Sequence, residues 1–173
     1  MDILAIETSC DETAAAVVSD SGNPAWPWTV RSNIVASQAE IHREWGGVVP
    51  EIACRQHVRD ICGVVERALF DADQVWSSLG AIAVTQGPGL VGSLLVGVAF
   101  GKSLAAALDV PLVPVHHLAG HIESLVIDGG QMPLPAVVLV VSGGHTNLYL
   151  VASHNNDADV SYQIIGRTRD DAA

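Results

Sequence analysis

Positive charge is scarce in this chain: 8 Lys and Arg stand against 19 Asp and Glu in 173 residues, a formal net charge of −11. A broad, sequence-independent grip on a phosphate backbone needs a basic face, so that class of nucleic-acid binding is excluded. Any contact with nucleic acid would need a local patch or a partner to supply positive charge. Aromatic residues are also few, at 5%, which speaks against an aromatic-rich β-sandwich. Cysteine is sparse too. Cys10, Cys54 and Cys62 are odd in number and lack CxxC spacing, so neither a disulfide framework nor a thiolate zinc site is expected, and a reducing cytoplasm is. No secretory signal is read at Met1-Asp2-Ile3, which acidic and polar residues soon follow. The apolar stretch 90–108 is interrupted by Lys102 and several glycines, and reads as a buried helix rather than a membrane span.

What is abundant is aliphatic. Hydrophobic residues make up 49% of the chain and charged ones 16%, which excludes a disordered chain. The length suffices for one domain with a real core and part of a second. Residues 3–6 and 13–18 read as a hairpin around a wide polar turn, with a third strand within 30–37 and a Gly- and Pro-containing loop over 21–28. Pro50 is placed to open a helix reaching to about Phe70. Strand 81–85, helix 91–108, strand 112–115 and helix 116–126 then alternate as βαβ units of a parallel sheet. After Pro133 and Pro135 the pattern restarts: strand 136–141, turn, strand 146–151. This is a weak internal repeat of the opening. The predicted order is that of one actin-like, ribonuclease H-like α/β lobe over 1–132, with 133–173 the incomplete start of a second.

Six segments stand out as candidates for chemistry or contact. His117 and His121 stand four apart, so on a helix both imidazoles share one face and suit a divalent metal such as Zn2+ or Fe2+; alternatively, one caps a strand end and the other is solvated. Ser142-Gly143-Gly144-His145-Thr146 lies between two strands, either an anion-binding nest or an ordinary tight hairpin. Glu7-Thr8-Ser9-Cys10-Asp11-Glu12-Thr13 combines hydroxyls with carboxylates, for orienting a phosphate-bearing ligand, a metal-bound water or an amine, or else is a solvated turn. Gly87-Pro88-Gly89 precedes a helix but is no Walker A loop, and close packing explains it better. Ser93, Gly97, Gly101 and Ala105 recur every four residues as a face that lets another helix approach. The loop 42–51, with Arg55 and His57 beyond it, is either ligand-facing or simply solvated.

Taken together and in this order, 7–13, Gly46-Gly47-Val48-Val49-Pro50-Glu51, Gly87-Pro88-Gly89-Leu90, 116–121 and 141–145 closely resemble the successive motifs of the tRNA N6-adenosine threonylcarbamoyltransferase family. Asp170-Asp171-Ala172-Ala173 resembles the next motif, interrupted midway. The resemblance covers essentially the whole chain. It implies an actin-like ATPase fold of two lobes with the active site in the cleft between them. The implied reaction moves a threonylcarbamoyl group from threonylcarbamoyl-AMP to N6 of the adenosine beside the anticodon, in tRNAs reading codons that begin with A. His117 and His121 would be two ligands of one divalent metal ion (Fe2+ or Zn2+). The third, an Asp, is absent from this chain. Val141, Ser142, Gly143, Gly144 and His145 would touch the adenylate or its threonylcarbamoyl moiety. Asp11 and Glu12 would be the acidic pair needed for activity.

Implied partners are tRNA, TsaB-like and TsaE-like proteins, and no membrane. The face from Ser93 to Ala105 is a candidate contact, and self-association through exposed strand edges is also expected. Because family members run much longer, this chain alone is expected to lack transferase activity. Three other readings compete, one of them a related carbamoyltransferase acting on other small molecules. A metalloendopeptidase would need a base near the histidines, and the nearest, Glu123, is poorly spaced for it. A non-catalytic scaffold lobe would have no need of paired imidazoles.

Overall fold

The computed structural model describes residues 1–141, 146–153 and 160–168. The chain divides into two compact units, one of Met1–Asn23 and Pro27–His117, the other of Pro24–Trp26 and Leu118–Ala173.

The first unit runs β1 (Asp2–Glu7), β2 (Glu12–Asn23), β3 (Trp26–Ser37), α1 (Ala39–Arg43), α2 (Pro50–Asp71), β4 (Leu79–Gly87), α3 (Val91–Leu108) and β5 (Leu112–His116). Its five-stranded sheet has the order β3-β2-β1-β4-β5. β1 is antiparallel to β2 and parallel to β4, which is in turn parallel to β5. Alternation does the sorting. Leu4 and Ile6 of β1, with Ala15 and Val17 of β2, enter the core that Ile61, Val65 and Ala68 of α2 complete. Full burial of a Val, Leu or Ile side chain contributes roughly 1.5–3 kcal/mol each. Glu7, one residue past Ile6, is thereby turned to the other side of the sheet.

The wide polar turn after Glu7 forms as the sequence suggests, but the loop expected over 21–28 does not. β2 extends to Asn23 and β3 begins at Trp26, so only Pro24 and Ala25 turn the chain. The hairpin tip is held by tertiary contact, since the Gln131 N–H donates to the Ala25 carbonyl at 2.8 Å. That bond overrides the local Gly and Pro signals. The five-residue helix α1 and the strand Val160–Arg167 are too short or too mixed in polarity to announce themselves by period.

The small-residue face of α3 requires a correction. Ser93, Gly97, Gly101 and Ala105 are all buried in their own unit. A Cβ on Gly101 would touch Val84 at 3.4 Å and Leu112 at 3.5 Å. The face therefore lies on β4 and β5, where small residues let the helix backbone approach the sheet, and it is not available to a partner. Among the described residues α3 is the one helix long and apolar enough to cross a membrane, and only 22% of it is buried. The expected buried helix is covered on the face laid against the sheet, while Val91 and Leu95 stand exposed.

In the second unit, α4 (His117–Gly129) continues from His117, the last residue of the first unit. β6 (Ala136–Val141), β7 (Thr146–Ser153) and β8 (Val160–Arg167) form an antiparallel sheet in the order β6-β7-β8. Leu118 and Ile122 of α4 cluster with Val138, Tyr149 and Val151. The two strands of the restart are present as β6 and β7, with Val141 paired to Thr146; the turn expected between them lies outside the described residues.

Candidate active site

The turn after β1 is pinned through its backbone. Thr8 Oγ1 donates to the Ser93 carbonyl at 2.8 Å, and the Leu90 N–H donates to the Ser9 carbonyl at 2.7 Å. His57 Nε2 donates to the Cys10 carbonyl at 3.0 Å, and the Gln38 N–H to the Asp11 carbonyl at 2.9 Å. Position 89 must be glycine here, because a Cβ would fall 2.5 Å from the Ser9 oxygen. Close packing is thus what the Gly87-Pro88-Gly89 segment serves. With successive carbonyls held inward, the side chains turn outward: Cys10 and Glu12 are exposed and Asp11 is half-buried.

At the carboxyl ends of the parallel strands, where open α/β sheets place ligands, a polar cluster closes around His117. Glu7 Oε2 and Ser9 Oγ each lie 3.2 Å from His117 Nδ1, and the Ser9 N–H donates to Glu7 Oε1. Burial by itself would raise the Glu7 carboxyl, but hydrogen bonds from His117, Ser9 and Thr85 outweigh it and hold the group down at about 2. The Glu7 carboxylate hydrogen bond in turn raises His117, against the opposing effect of burial. Ser9 and Glu7 meet the same ring nitrogen. A hydrolytic triad needs hydroxyl and carboxylate on opposite nitrogens, so this cluster is not one. Cys10 is not a ready nucleophile either: partial burial, then the Asp11 carboxylate, push its thiol up to about 11.

A histidine whose Nδ1–H is held by a carboxylate presents Nε2 as its lone-pair nitrogen, the usual arrangement of a metal-ligating imidazole. His117 therefore fits a ligand role. His121, one turn further along α4, is exposed and lines a shallow hollow of about 170 Å³ with Leu125, Val138, Leu139, Val140 and Val141. The fold thus brings His121 and Val141 to one place, and groups His117 with Glu7 and Ser9. Among the described residues no set of three or more His, Cys, Asp or Glu side chains comes together to hold a metal. Ser142, Gly143, Gly144 and His145 lie outside the described residues, as do 170–173.

Glu7 sits inside the acidic motif, yet nothing in its spacing separates it from Asp11 and Glu12; only the return of the chain at His117 does. His42 and His57, placed by sequence in a solvated or ligand-facing stretch, are instead 3% and 0% exposed. Glu123, the base that a peptidase reading would need, accepts a hydrogen bond from the Tyr162 hydroxyl.

A family model described as tRNA N6-adenosine threonylcarbamoyltransferase matches residues 29–173. A protein of that name from Moorella thermoacetica is 56% identical over 99% of this chain and 47% of its own length. Another, from Salinibacter ruber, is 53% identical over 100% of this chain and 48% of its own. The chain spans about half the length of the curated relatives it matches. Among solved structures, YeaZ from Pseudomonas aeruginosa aligns over 97% of this chain and 66% of its own, at 18% identity and a TM-score of 0.57. At that identity the likeness bears on fold alone, and the fold is the expected actin-like α/β architecture.

Proposed function

The chain belongs to the tRNA N6-adenosine threonylcarbamoyltransferase family, and from that premise we propose that it forms part of the site moving a threonylcarbamoyl group from threonylcarbamoyl-AMP to N6 of the adenosine beside the anticodon of tRNA. The observation that carries this reading is the Glu7–His117 contact at the carboxyl edge of the parallel strands. His117 and His121 would supply two ligands to one divalent ion, Fe2+ or Zn2+. When bound, that ion supplies Lewis acidity toward the carbamoyl carbonyl.

The remaining work falls to this chain's own residues. Glu7 holds the His117 ring in one tautomer and one orientation. Asp11 and Glu12, presented by the pinned turn, order the incoming amine or the tRNA around it; an exocyclic adenine amine is a weak nucleophile, so orientation matters more than a strong base. Val141, with Ser142, Gly143, Gly144 and His145, would meet the adenylate or its threonylcarbamoyl moiety. Residues 1–132 would be the first actin-like lobe and 133–173 the opening of a second. With an overall charge of −11, tRNA contact calls for a partner, and TsaB-like and TsaE-like proteins in the cytoplasm fit that need. Two histidine ligands by themselves are expected to hold a metal weakly.

The test is elemental analysis of this chain and of His117→Ala/His121→Ala, both purified without chelators, alongside a transfer assay with tRNA and threonylcarbamoyl-AMP. Iron or zinc present in the first and lost in the double variant supports the ligand assignment. Equal metal in both removes it; none in either accords with the weak hold expected of two ligands and leaves the family assignment standing. Robust turnover by this chain alone would overturn the expectation of inactivity. A peptidase reading is disfavoured by Glu123, whose carboxylate is engaged by Tyr162.

A further inference from the structure

Two histidines that the proposed chemistry does not use are buried side by side with a glutamine between them. His57 is 0%, Gln38 1% and His42 3% exposed. Their hydrogen bonds admit one assignment. The Cys10 carbonyl can only accept, so His57 Nε2, 3.0 Å away, carries the proton. In the neutral ring Nδ1 is then the acceptor, taking the Thr13 hydroxyl at 2.8 Å and the Gln38 amide nitrogen at 3.4 Å. The amide nitrogen also faces the Ala53 carbonyl at 3.5 Å, which agrees with that orientation. Gln38 Oε1 must therefore accept from His42 Nε2 at 3.2 Å. His42 Nδ1 is left to accept the Val49 N–H at 3.3 Å.

The chain of donors thus runs one way, from Val49 through His42, Gln38 and His57 to Cys10. Reversing any member would set donor against donor or acceptor against acceptor in a buried site, where each group left unpaired loses its water without gaining a partner. One end of the relay is the exposed loop 44–49 ahead of α2. The other is the turn that presents Asp11 and Glu12, whose Asp11 carbonyl is also held by the backbone of Gln38 itself.

We infer that His57, Gln38 and His42 are positioning residues that hold the 44–49 loop and the Asp11–Glu12 turn in one joint arrangement, so that a disturbance at either end is felt at the other. The functional weight of this inference rests on reading Asp11 and Glu12 as part of the transfer site, but the coupling itself does not.

The experiment uses the full chain labelled with 15N and read by NMR near neutral pH, so it is independent of transferase activity. In the unsubstituted protein both His42 and His57 are expected as pure Nε2–H tautomers; an Nδ1–H tautomer or a mixture at either ring overturns the relay. The second arm compares Thr13→Val with Thr13→Ser. Loss of the hydroxyl is expected to speed hydrogen exchange of the Val49 amide, at the far end, at least several-fold, and the serine variant to restore it. A change confined to residues touching position 13, or one that serine fails to rescue, refutes the coupling. Tautomers read as expected with Val49 unresponsive would also refute it, while leaving the functional reading of Asp11 and Glu12 intact.

Discussion

Glu7 Oε2 stands 3.2 Å from His117 Nδ1, joining the last residue of β1 to the first residue of α4 across 110 positions of sequence. Neither residue explains itself alone. The carboxylate faces away from the aliphatic core because of strand alternation, and the imidazole sits where a parallel strand hands over to a helix.

If Glu7 orients His117 as a ligand, Glu7→Gln keeps the shape and loses the charge. Metal affinity is expected to fall about 10- to 100-fold, the usual cost of losing a carboxylate behind a ligating imidazole. Competition of Zn2+ against a chromophoric chelator would measure it; an unchanged affinity would separate Glu7 from metal binding.

The same pair predicts a pH signature. Glu7 is held at about 2, below its ordinary 4.5, so its contribution to stability is complete above about 4.5 and disappears as pH falls toward 2. His117 is raised above its ordinary 6.5, so its contribution is complete below 6.5 and disappears as pH rises through the raised value. The gap in Tm between the parent chain and Glu7→Gln should therefore be widest between about pH 4.5 and 6.5. A gap that stays flat from pH 3 to pH 9, roughly the range over which carboxylates and imidazoles titrate, would count against the pair.

Two glycines in helices of one unit should respond oppositely to alanine. A Cβ at Gly97 of α3 would press on the Thr8 hydroxyl, itself bonded to Ser93, while a Cβ at Gly63 of α2 meets nothing within 4 Å. Gly97→Ala is expected to cost about 1–3 kcal/mol by overpacking. Gly63→Ala should stabilise by about 0.5–1 kcal/mol through helix propensity. Urea titration of both variants checks the signs.

Tyr149 is 4% exposed, and its hydroxyl has no hydrogen-bond partner among the described residues. Burying an unpaired hydroxyl costs roughly 1–3 kcal/mol, so Tyr149→Phe should be neutral or stabilising by about 1 kcal/mol. Thermal unfolding that shows a clear loss instead would reveal a partner for this hydroxyl.

Much of the architecture was legible in the residues. The aliphatic alternation of 3–6 and 13–18, Pro50 at the head of α2, and the four-residue recurrence of small side chains in α3 are local patterns, and local patterns report periods of two or 3.6 directly. The acidic turn and the paired histidines were visible for the same reason: they are contiguous. The length of the β2–β3 hairpin was not, because the bond from Gln131 to Ala25 that holds its tip comes from more than a hundred residues away. The small face of α3 was visible as a face, but which surface it would meet depended on where β4 and β5 lay.

The sequence by itself determined the longer strands and helices, the aliphatic side chains that avoid water, and that two imidazoles share a helix. Tertiary structure alone decided that Glu7 rather than Asp11 or Glu12 would meet His117, and that His42 and His57 would be buried in a polar relay rather than solvated. The reason is physical. The bonds of His42 are local, to Gln38 and Val49. Hydrogen-bond pairing at Glu7 and His57 is instead a property of contacts between segments 19 to 110 positions apart, and no local period encodes which distant partner will arrive.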